Sequence, residues 1–309
     1  MTDKYVVTIG PRCHVLCVDT ETGAFRWGID MANEYGSEFP DWYAAQCPLV
    51  DNGVAVLAPC GSNTLMMGVS CDTGKVLWQT PNNHEPKKWQ MSHASIMPMT
   101  FKGKKMYVYT AIGGMLGVSA EEADRGSVLW ETKEWTEAVL APSPVILDDG
   151  RILVTAGYAA GSAMFQLAEA NGKFSVKQVY RLNERVFGCE QHTPILYNGC
   201  LFTVLSPNAG AVRQQVVCMK PDGTVQWTSG QSERFGLGPF MIAGNRMFIL
   251  NDDGELTVIK ASTEEYEKLA HAKVLSGHET WAPLAYVDGK LLVRDAKRML
   301  CLEIENMVK

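Results

Sequence analysis

Short apolar segments alternate with polar turns along the whole chain, and the alternation recurs at a nearly fixed interval. The clearest unit is Asp72-Thr-Gly-Lys-Val-Leu-Trp78, in which a polar turn containing Gly separates two apolar segments. Such a Gly is expected to take a positive φ in a tight hairpin, which puts the Trp at a set position of the next strand. The same spacing, with Gly four residues before Trp, occurs at four tryptophans: Trp27, Trp78, Trp130 and Trp227. The pattern predicts a recurring strand–turn–strand unit.

A second landmark, a proline before a short apolar segment, has the same period. The prolines lie 44 to 50 residues apart and are Pro48, Pro98, Pro144, Pro194, Pro239 and Pro283. Each is followed by a turn glycine and a second apolar segment, for example at 54–58, 106–110, 152–156 and 201–205. Two hairpins per repeat make four strands. A repeat of roughly 40 to 50 residues with four strands is typical of a β-propeller.

The strand count predicts an all-β chain, a single β-propeller domain over residues 1–309 with four-stranded antiparallel blades. The N-terminus supplies three strands, at 5–9, 14–18 and 24–29, five complete repeats follow, and the C-terminus adds three more, near 282–286, 290–294 and 299–304. This gives seven blades, of which the first lacks its innermost strand and the last its outermost. An eight-bladed ring missing its first blade is the alternative, with a natural chain that begins further upstream.

Composition narrows the range of functions. The 309 residues are 46% hydrophobic and carry a net charge of −6, with Lys and Arg scattered, so no basic patch favours nucleic acid. No run of eighteen apolar residues and no leader are found, so we expect a soluble chain with no membrane span. The nine cysteines form no Cys-x-x-Cys or adjacent pair, and most lie in apolar segments, which favours buried thiols.

The repeat Asp-x-x-Thr-Gly-x-x-x-Trp resembles the PQQ-like β-propeller repeat, which is shared by quinoprotein dehydrogenases and by outer-membrane assembly lipoproteins of the BamB type. The resemblance spans the chain and is carried also by Cys47-Pro-Leu-Val-Asp51, by Ser92-His-Ala-Ser-Ile-Met-Pro98 and by the segment from Trp281 to Asp295. It implies a bacterial protein whose repeat tryptophans pack between neighbouring blades. It also implies a periplasmic or envelope location, with the cytoplasm as the alternative.

Departures from the family pattern bear on the cofactor. The fourth repeat has Asn171 to Tyr180 and the sixth has Ser262 to Lys268 where the others have Thr-Gly-x-x-x-Trp, so these blades need other packing at the Trp position. A quinoprotein dehydrogenase of this resemblance would be nearly twice as long and would carry an adjacent-cysteine disulfide and a calcium site. The chain has no adjacent cysteines. We therefore predict no cofactor, with pyrroloquinoline quinone and calcium as the alternative.

Candidate ligand-binding residues lie in the loops before each innermost strand, because these loops converge on the mouth of a propeller channel. Aligning the repeats on their prolines groups aromatic and cationic side chains there. The candidates are Tyr43, His93, His192, Arg234, His278 and Trp281. The alternative is that these side chains solvate the channel or bond neighbouring backbone carbonyls. We predict no catalytic residue and no metal site, because no triad motif and no closely spaced histidines are present.

The leading functional hypothesis is a non-catalytic binding or scaffold module that presents its channel mouth to a protein or small-molecule ligand. A quinoprotein-like oxidoreductase, or another enzyme that uses the mouth, is the alternative. A third hypothesis is that the chain is a surviving piece of a larger envelope protein.

Overall fold

The computed structural model describes residues 2–85 and 88–304, and within them the regular secondary structure is almost entirely β-strand. One short α-helix, α1 (Met31–Tyr35), follows the third strand, and two 3-10 turns span Glu122–Asp124 and Gly210–Val212. No helix in these residues is long and apolar enough to cross a bilayer. The chain divides into two compact units, which are described separately.

The first unit comprises Met1–Thr155 and Ala163–Arg181 and contains four sheets. Its strands are β1 (Tyr5–Ile9), β2 (His14–Asp19), β3 (Phe25–Asp30), β4 (Leu49–Asp51), β5 (Val54–Leu57), β6 (Thr64–Ser70), β7 (Val76–Pro81), β8 (Met97–Phe101), β9 (Lys104–Ala111), β10 (Gly114–Ser119), β11 (Val128–Thr132), β12 (Val145–Ile146), β13 (Arg151–Ala156), β14 (Gly161–Ala170) and β15 (Lys173–Leu182).

The second unit comprises Ala156–Ser162 and Leu182–Lys309 and contains three sheets. Its strands are β16 (Ile195–Tyr197), β17 (Cys200–Val204), β18 (Val216–Met219), β19 (Val225–Thr228), β20 (Phe240–Ala243), β21 (Arg246–Leu250), β22 (Glu255–Lys260), β23 (Lys268–Lys273), β24 (Ala285–Val287), β25 (Lys290–Arg294) and β26 (Met299–Glu303).

Each sheet is an antiparallel meander of consecutive strands, and the seven sheets are the blades of a β-propeller. The second to sixth sheets have four strands, whereas β1–β3 and β24–β26 have three. The predicted fold class and the seven blades are confirmed. The prediction of a single domain over residues 1–309 stays a prediction.

Glycine sets the hairpins as the sequence predicted. Gly23, Gly74, Gly126 and Gly223, each four residues before a Trp, all have φ between 70° and 93°. An L side chain avoids this region because its Cβ crowds the following carbonyl group. The third strand of the four-stranded sheets is buried over most of its length, as in β6, β10 and β18, so the cores lie around the middle strands.

The repeat tryptophans lie on the outermost strands and are at least nine-tenths buried. Each faces a small residue across the hairpin: Trp78 pairs with Gly68, and Trp130 with Gly117. A Cβ atom built on Gly68 would lie 2.1 Å from Nε1 of Trp78, so only glycine leaves room for the indole ring.

These tryptophans also contact the next sheet along the chain. Trp27 Nε1 donates to the carbonyl oxygen of Cys71 at 2.8 Å, and a Cβ on Gly74 would lie 2.7 Å from its ring. Trp78 stacks on Tyr107 with centroids 6.0 Å apart and packs against Gly126. The turn glycine of one sheet therefore forms part of the surface on which the preceding Trp packs.

The sixth repeat, which lacks a Trp of its own, receives the Trp of the fifth. Trp227 Nε1 donates to the carbonyl oxygen of Ser262 at 3.0 Å, and Tyr266 lies 6.0 Å from the Trp227 ring. The charged segment that replaces the repeat motif thus supplies both contacts. In the fourth sheet the corresponding strand, β15, carries half-buried Tyr180.

All nine cysteines are free thiols. Seven are buried, while Cys47 and Cys301 are exposed.

Candidate functional site

The loop before the second sheet is the most elaborate of those that carry the candidates. Asp30 caps α1 by accepting from the backbone N–H of Asn33 at 3.1 Å, and Gly36 ends the helix in the left-handed conformation. The remainder, residues 36–48, is called the aromatic loop below. Its far end is fixed by buried Gln46, whose Oε1 accepts from Ala58 N at 3.3 Å.

Three large aromatic side chains of the aromatic loop are exposed: Phe39 by 45%, Trp42 by 67% and Tyr43 by 49%. Phe39 and Tyr43 stack on each other with ring centroids 6.0 Å apart. Trp42 and Tyr43 both have positive φ, at 61° and 74°, which is uncommon for bulky residues and is held here by surrounding contacts. One such contact is the bond from Ala44 N to the Pro11 carbonyl oxygen, at 2.9 Å.

His93, the second candidate in the first unit, lies beside the backbone of the first. Its backbone N–H donates to the carbonyl oxygen of Leu140 at 3.0 Å, and its ring is half-buried near the carbonyl group of Tyr43. Burial lowers the pKa of His93, and the Tyr43 carbonyl group and Asp41 oppose that shift in part. The structure therefore brings His93 and Tyr43 together, with the backbone of Tyr43 as the contact.

A buried polar network beneath this loop involves a serine next to His93. Tyr109 OH accepts from Ser92 N at 2.9 Å and from Gln46 Nε2 at 3.1 Å, while Ser92 Oγ donates to the Thr110 carbonyl oxygen at 2.5 Å. Burial raises the pKa of Tyr109 well above its usual range. Because the Ser92 hydroxyl donates to a backbone carbonyl oxygen, and not to a side-chain base, the bonds described for this network fix the position of the loop.

In the second unit, His192 lies edge-on to Phe240, with centroids 5.9 Å apart. Its Nε2 is buried and has no hydrogen-bond partner among the residues that the structure describes. Burial lowers the pKa of His192 to about 4, although the Leu237 carbonyl group and the charge of Asp252 favour protonation. The imidazole is therefore neutral at pH 7.

Asp252 joins two of the predicted positions, and sequence reasoning missed it. Its carboxylate accepts from Trp281 Nε1 at 2.6 Å and from Leu237 N at 3.0 and 3.1 Å. Gly236 makes room for it, since a Cβ there would lie 2.1 Å from Oδ2. The only sequence feature at this position is Asp252-Asp253-Gly254, which is also typical of an ordinary turn. Trp281, His192 and Asp252 thus form one cluster.

Arg234 makes its contacts within the protein. Its guanidinium donates to the carbonyl oxygens of Glu233 at 2.9 Å, Ala211 at 3.3 Å and Gly230 at 3.5 Å. The contacts described for Arg234 are thus with backbone carbonyl groups.

His278, the last candidate, is exposed and lines a pocket of about 280 Å³ between residues 276–278 and 295–298. Asp295 holds the two segments together: its carboxylate accepts from the backbone N–H groups of Arg298, Lys297 and Gly277 at 2.7, 2.8 and 3.2 Å. These bonds lower the pKa of Asp295.

Two further pockets of the first unit, of about 390 and 450 Å³, contain none of the predicted residues and share Asp51, Lys105, Tyr107 and Ala120. Tyr107 OH donates to Asp51 Oδ2 at 2.9 Å. No group of three or more His, Cys, Asp or Glu side chains suited to a metal ion occurs within residues 2–85 and 88–304.

Comparisons with known proteins agree on the architecture. The sequence profile of a family described as outer membrane protein assembly factor BamB matches residues 1–212. Among solved structures, the crystal structure of BamB from Moraxella catarrhalis superposes with a TM-score of 0.64 at 13% sequence identity, covering 97% of this chain and 81% of that one. At this identity the likeness shows the fold. No curated protein sequence matches the chain.

Proposed function

The chain belongs to the family described as outer membrane protein assembly factor BamB, and from that premise we propose that it is a non-catalytic scaffold that binds another protein through its aromatic loop. The observation that carries this is the exposure of Phe39, Trp42 and Tyr43 in one loop. Tryptophan and tyrosine dominate the binding energy of protein interfaces because they bury much apolar area at little cost in side-chain entropy.

The backbone of this loop supports the proposal. Three contacts fix this loop: the Gln46 bond to Ala58, the bond from Ala44 N to the Pro11 carbonyl oxygen, and the adjoining helix α1. A flexible loop would lose conformational entropy on binding, whereas this loop has already lost that entropy on folding. Residues 36–48 carry Glu38 and Asp41 but no Lys or Arg, which favours a partner with basic residues beside an apolar patch.

The family name places its namesake in outer membrane protein assembly. We accordingly propose a protein partner in the bacterial envelope and an envelope location for this chain, and fractionation of cells that express it tests the location. Recovery with the cytoplasmic fraction alone would favour the cytoplasmic alternative.

Site-specific photo-crosslinking tests the binding surface. A photoreactive phenylalanine analogue at Trp42 should give a discrete adduct in native cells, and the same analogue at Phe25, which is 66% exposed on β3, should not. The purified partner should then bind Trp42→Asn, which tolerates positive φ, at least about tenfold more weakly than wild type. Equal adducts at both positions, or unchanged affinity in Trp42→Asn, would contradict the proposal.

A second candidate function, small-ligand binding in the second unit, is favoured by the unpartnered buried Nε2 of His192 near Asp252 and Trp281. A neutral imidazole can donate to or accept from a polar ligand. A thermal-shift screen with a panel of small ligands, repeated on His192→Phe, tests it. A thermal shift that persists in His192→Phe would show that the ligand binds at another site.

We also propose that the chain does not catalyse quinone-dependent oxidation. Addition of pyrroloquinoline quinone, calcium and an alcohol should give no dye reduction and no thermal shift. A shift of several degrees with the quinone, together with dye reduction, would support the oxidoreductase alternative.

A further inference from the structure

Three arginine side chains belong to one end of the fifth sheet, which consists of β16 to β19. Arg185 precedes β16, Arg213 lies in the connection between β17 and β18, and Arg234 follows β19. In an antiparallel meander of four strands, the start of the first strand, the connection from the second to the third and the end of the fourth share one end of the sheet. The topology therefore brings together three arginines that are far apart in the sequence.

The guanidinium groups of these arginines all lie against the second 3-10 turn of the chain. Arg213 Nη1 donates to the Gly210 carbonyl oxygen at 3.3 Å, and Arg234 Nη2 donates to the Ala211 carbonyl oxygen at 3.3 Å. Arg185 lies beside the same turn, since a Cβ atom built on Gly210 would lie 3.5 Å from its Nε. The three side chains are called the arginine cluster below.

The positive charge of the arginine cluster has no counter-charge within the part of the chain that the structure describes. None of its members forms an ion pair with a carboxylate there. The acidic residues next to them in sequence are Glu184, which makes no such pair, and Glu233, whose carboxylate binds Lys268 and Tyr266 instead. Three like charges around one turn repel one another, in a chain whose net charge is −6. An anion bound among them would relieve that repulsion.

The loops that carry the arginine cluster are fixed by packing and by a bond between them. Phe187 and Phe235 are buried and anchor the loop before β16 and the loop after β19. Phe235 N donates to the Gln214 carbonyl oxygen at 2.9 Å, which joins the loop after β19 to the connection between β17 and β18. The charges are therefore already in place, and a ligand would lose little affinity to the ordering of these loops.

The cluster also keeps hydrogen-bond donors for a ligand. A guanidinium group has five N–H donors, and its planar shape matches the oxygens of carboxylate and phosphate groups. The guanidinium of Arg185 donates no hydrogen bond to any described residue. A phosphate monoester carries about −1.5 to −2 charges at pH 7 and three acceptor oxygens, whereas a carboxylate carries one charge. Three arginines thus match a phosphate group better than a carboxylate.

We propose that the arginine cluster is a binding site for the phosphate group of a ligand. The site goes beyond the functions proposed above and does not rest on them, because neither the aromatic loop nor His192 contributes a side chain to it.

Isothermal titration calorimetry with inorganic phosphate tests the site. Wild-type protein should bind one phosphate per chain, and the affinity should fall as sodium chloride is added, because salt screens exposed charges. Acetate at the same ionic strength should bind at least about tenfold more weakly than phosphate, because it carries less charge.

The decisive variant is Arg185→Gln, because it removes a charge without removing a described hydrogen bond from a carbonyl group. It should bind phosphate at least about tenfold more weakly than wild type, and Arg213→Gln should show a similar loss. The matched control is Arg294→Gln, at an exposed arginine of the second unit that forms no ion pair with a described residue, and it should bind phosphate as wild type does.

Two sources of the phosphate group give different results, and either would support the proposal. Sedimentation with vesicles of phosphatidylcholine and phosphatidylglycerol, lost in Arg185→Gln, would identify a lipid headgroup. Binding of phenyl phosphate without binding of the vesicles would identify a soluble ester.

Three results would overturn the proposal. The first is the absence of saturable heat when phosphate is added to wild-type protein, and the second is equal affinity for phosphate in wild type and Arg185→Gln. The third is tighter binding of hexaglutamate than of phosphate, with the same loss in Arg185→Gln, because an acidic protein segment would then be the occupant.

Discussion

Replacing Trp78 and Trp27 by phenylalanine in parallel separates the apolar contribution of these residues from that of their hydrogen bonds. Both indoles are at least nine-tenths buried against the next sheet. They differ in one respect: Trp27 Nε1 donates to the Cys71 carbonyl oxygen at 2.8 Å, whereas Trp78 Nε1 is buried without a partner in the described residues.

The magnitude follows from area and hydrogen bonding. A buried tryptophan removes roughly 200 Å² from water, and at roughly 25 cal/mol/Å² this is about 5 kcal/mol. Truncation to alanine keeps a methyl group, so Trp78→Ala should cost about 4 kcal/mol, within the range for buried aromatic residues. Trp78→Phe loses area but also removes an unpaired buried donor that itself costs about 1 to 3 kcal/mol, so its net effect should be small. Trp27→Phe leaves the Cys71 carbonyl oxygen with only the weak Cys17 thiol donor at 3.6 Å, and should cost about 2 kcal/mol more than Trp78→Phe.

Urea unfolding followed by far-ultraviolet circular dichroism measures these differences, provided that the slopes of the unfolding transitions agree among variants. Equal losses of unfolding free energy in Trp78→Phe and Trp27→Phe would refute the role assigned to the indole N–H of Trp27. An unchanged midpoint in Trp78→Ala would refute the burial argument itself.

Three further predictions concern other parts of the chain. Gly68→Ala should lower the unfolding free energy far more than Gly103→Ala. A Cβ on Gly68 would lie 2.1 Å from the Trp78 ring, whereas a Cβ on Gly103 would meet open space and only the positive φ of 79° opposes it. A lower melting temperature for Gly103→Ala than for Gly68→Ala would contradict this. Because burial lowers the pKa of His192 to about 4, its neutral form stabilises the fold fully above about pH 6.5, and this contribution should be lost as the pH falls from 6.5 towards 4. The unfolding free energy of wild type relative to His192→Phe should therefore fall over that range, and a constant difference would argue against burial of the ring. Ellman's reagent should react rapidly with Cys47 and Cys301 in the native protein and with the other seven thiols only in denaturant. Rapid reaction of more than two thiols in the native protein would show that some of those seven cysteines are not buried.

The fold was readable from the sequence because its signals are local and repeated. Gly at positive φ, Pro before the first strand and Trp after the turn each mark one place in a blade, and the strands begin and end within a few residues of the predicted positions, as at β1 (Tyr5–Ile9) and β25 (Lys290–Arg294). The incomplete first and last blades followed from counting the same signals.

The candidate site was less predictable, because alignment of repeats gives a position along the chain and not the direction or partner of a side chain. Arg234 was chosen for its charge, but its guanidinium bonds three backbone carbonyl groups. Asp252 was passed over as a turn residue, although it binds Trp281. Phe39 and Trp42 lie nine and six residues before Pro48, away from the position of the candidate Tyr43, so alignment of the repeats on their prolines did not select them.

The contacts between consecutive sheets also set the order in which this chain can fold during its synthesis. Trp27 and Cys71 are 44 residues apart, Thr80 and Gly126 are 46, and Trp227 and Ser262 are 35. At roughly 5 to 20 residues per second on the ribosome, each such contact can form within roughly 2 to 9 seconds after the first partner is made. The outer face of a nascent blade is therefore uncovered only briefly, and a translational pause placed within one repeat after a Trp codon would prolong the interval in which that blade can aggregate.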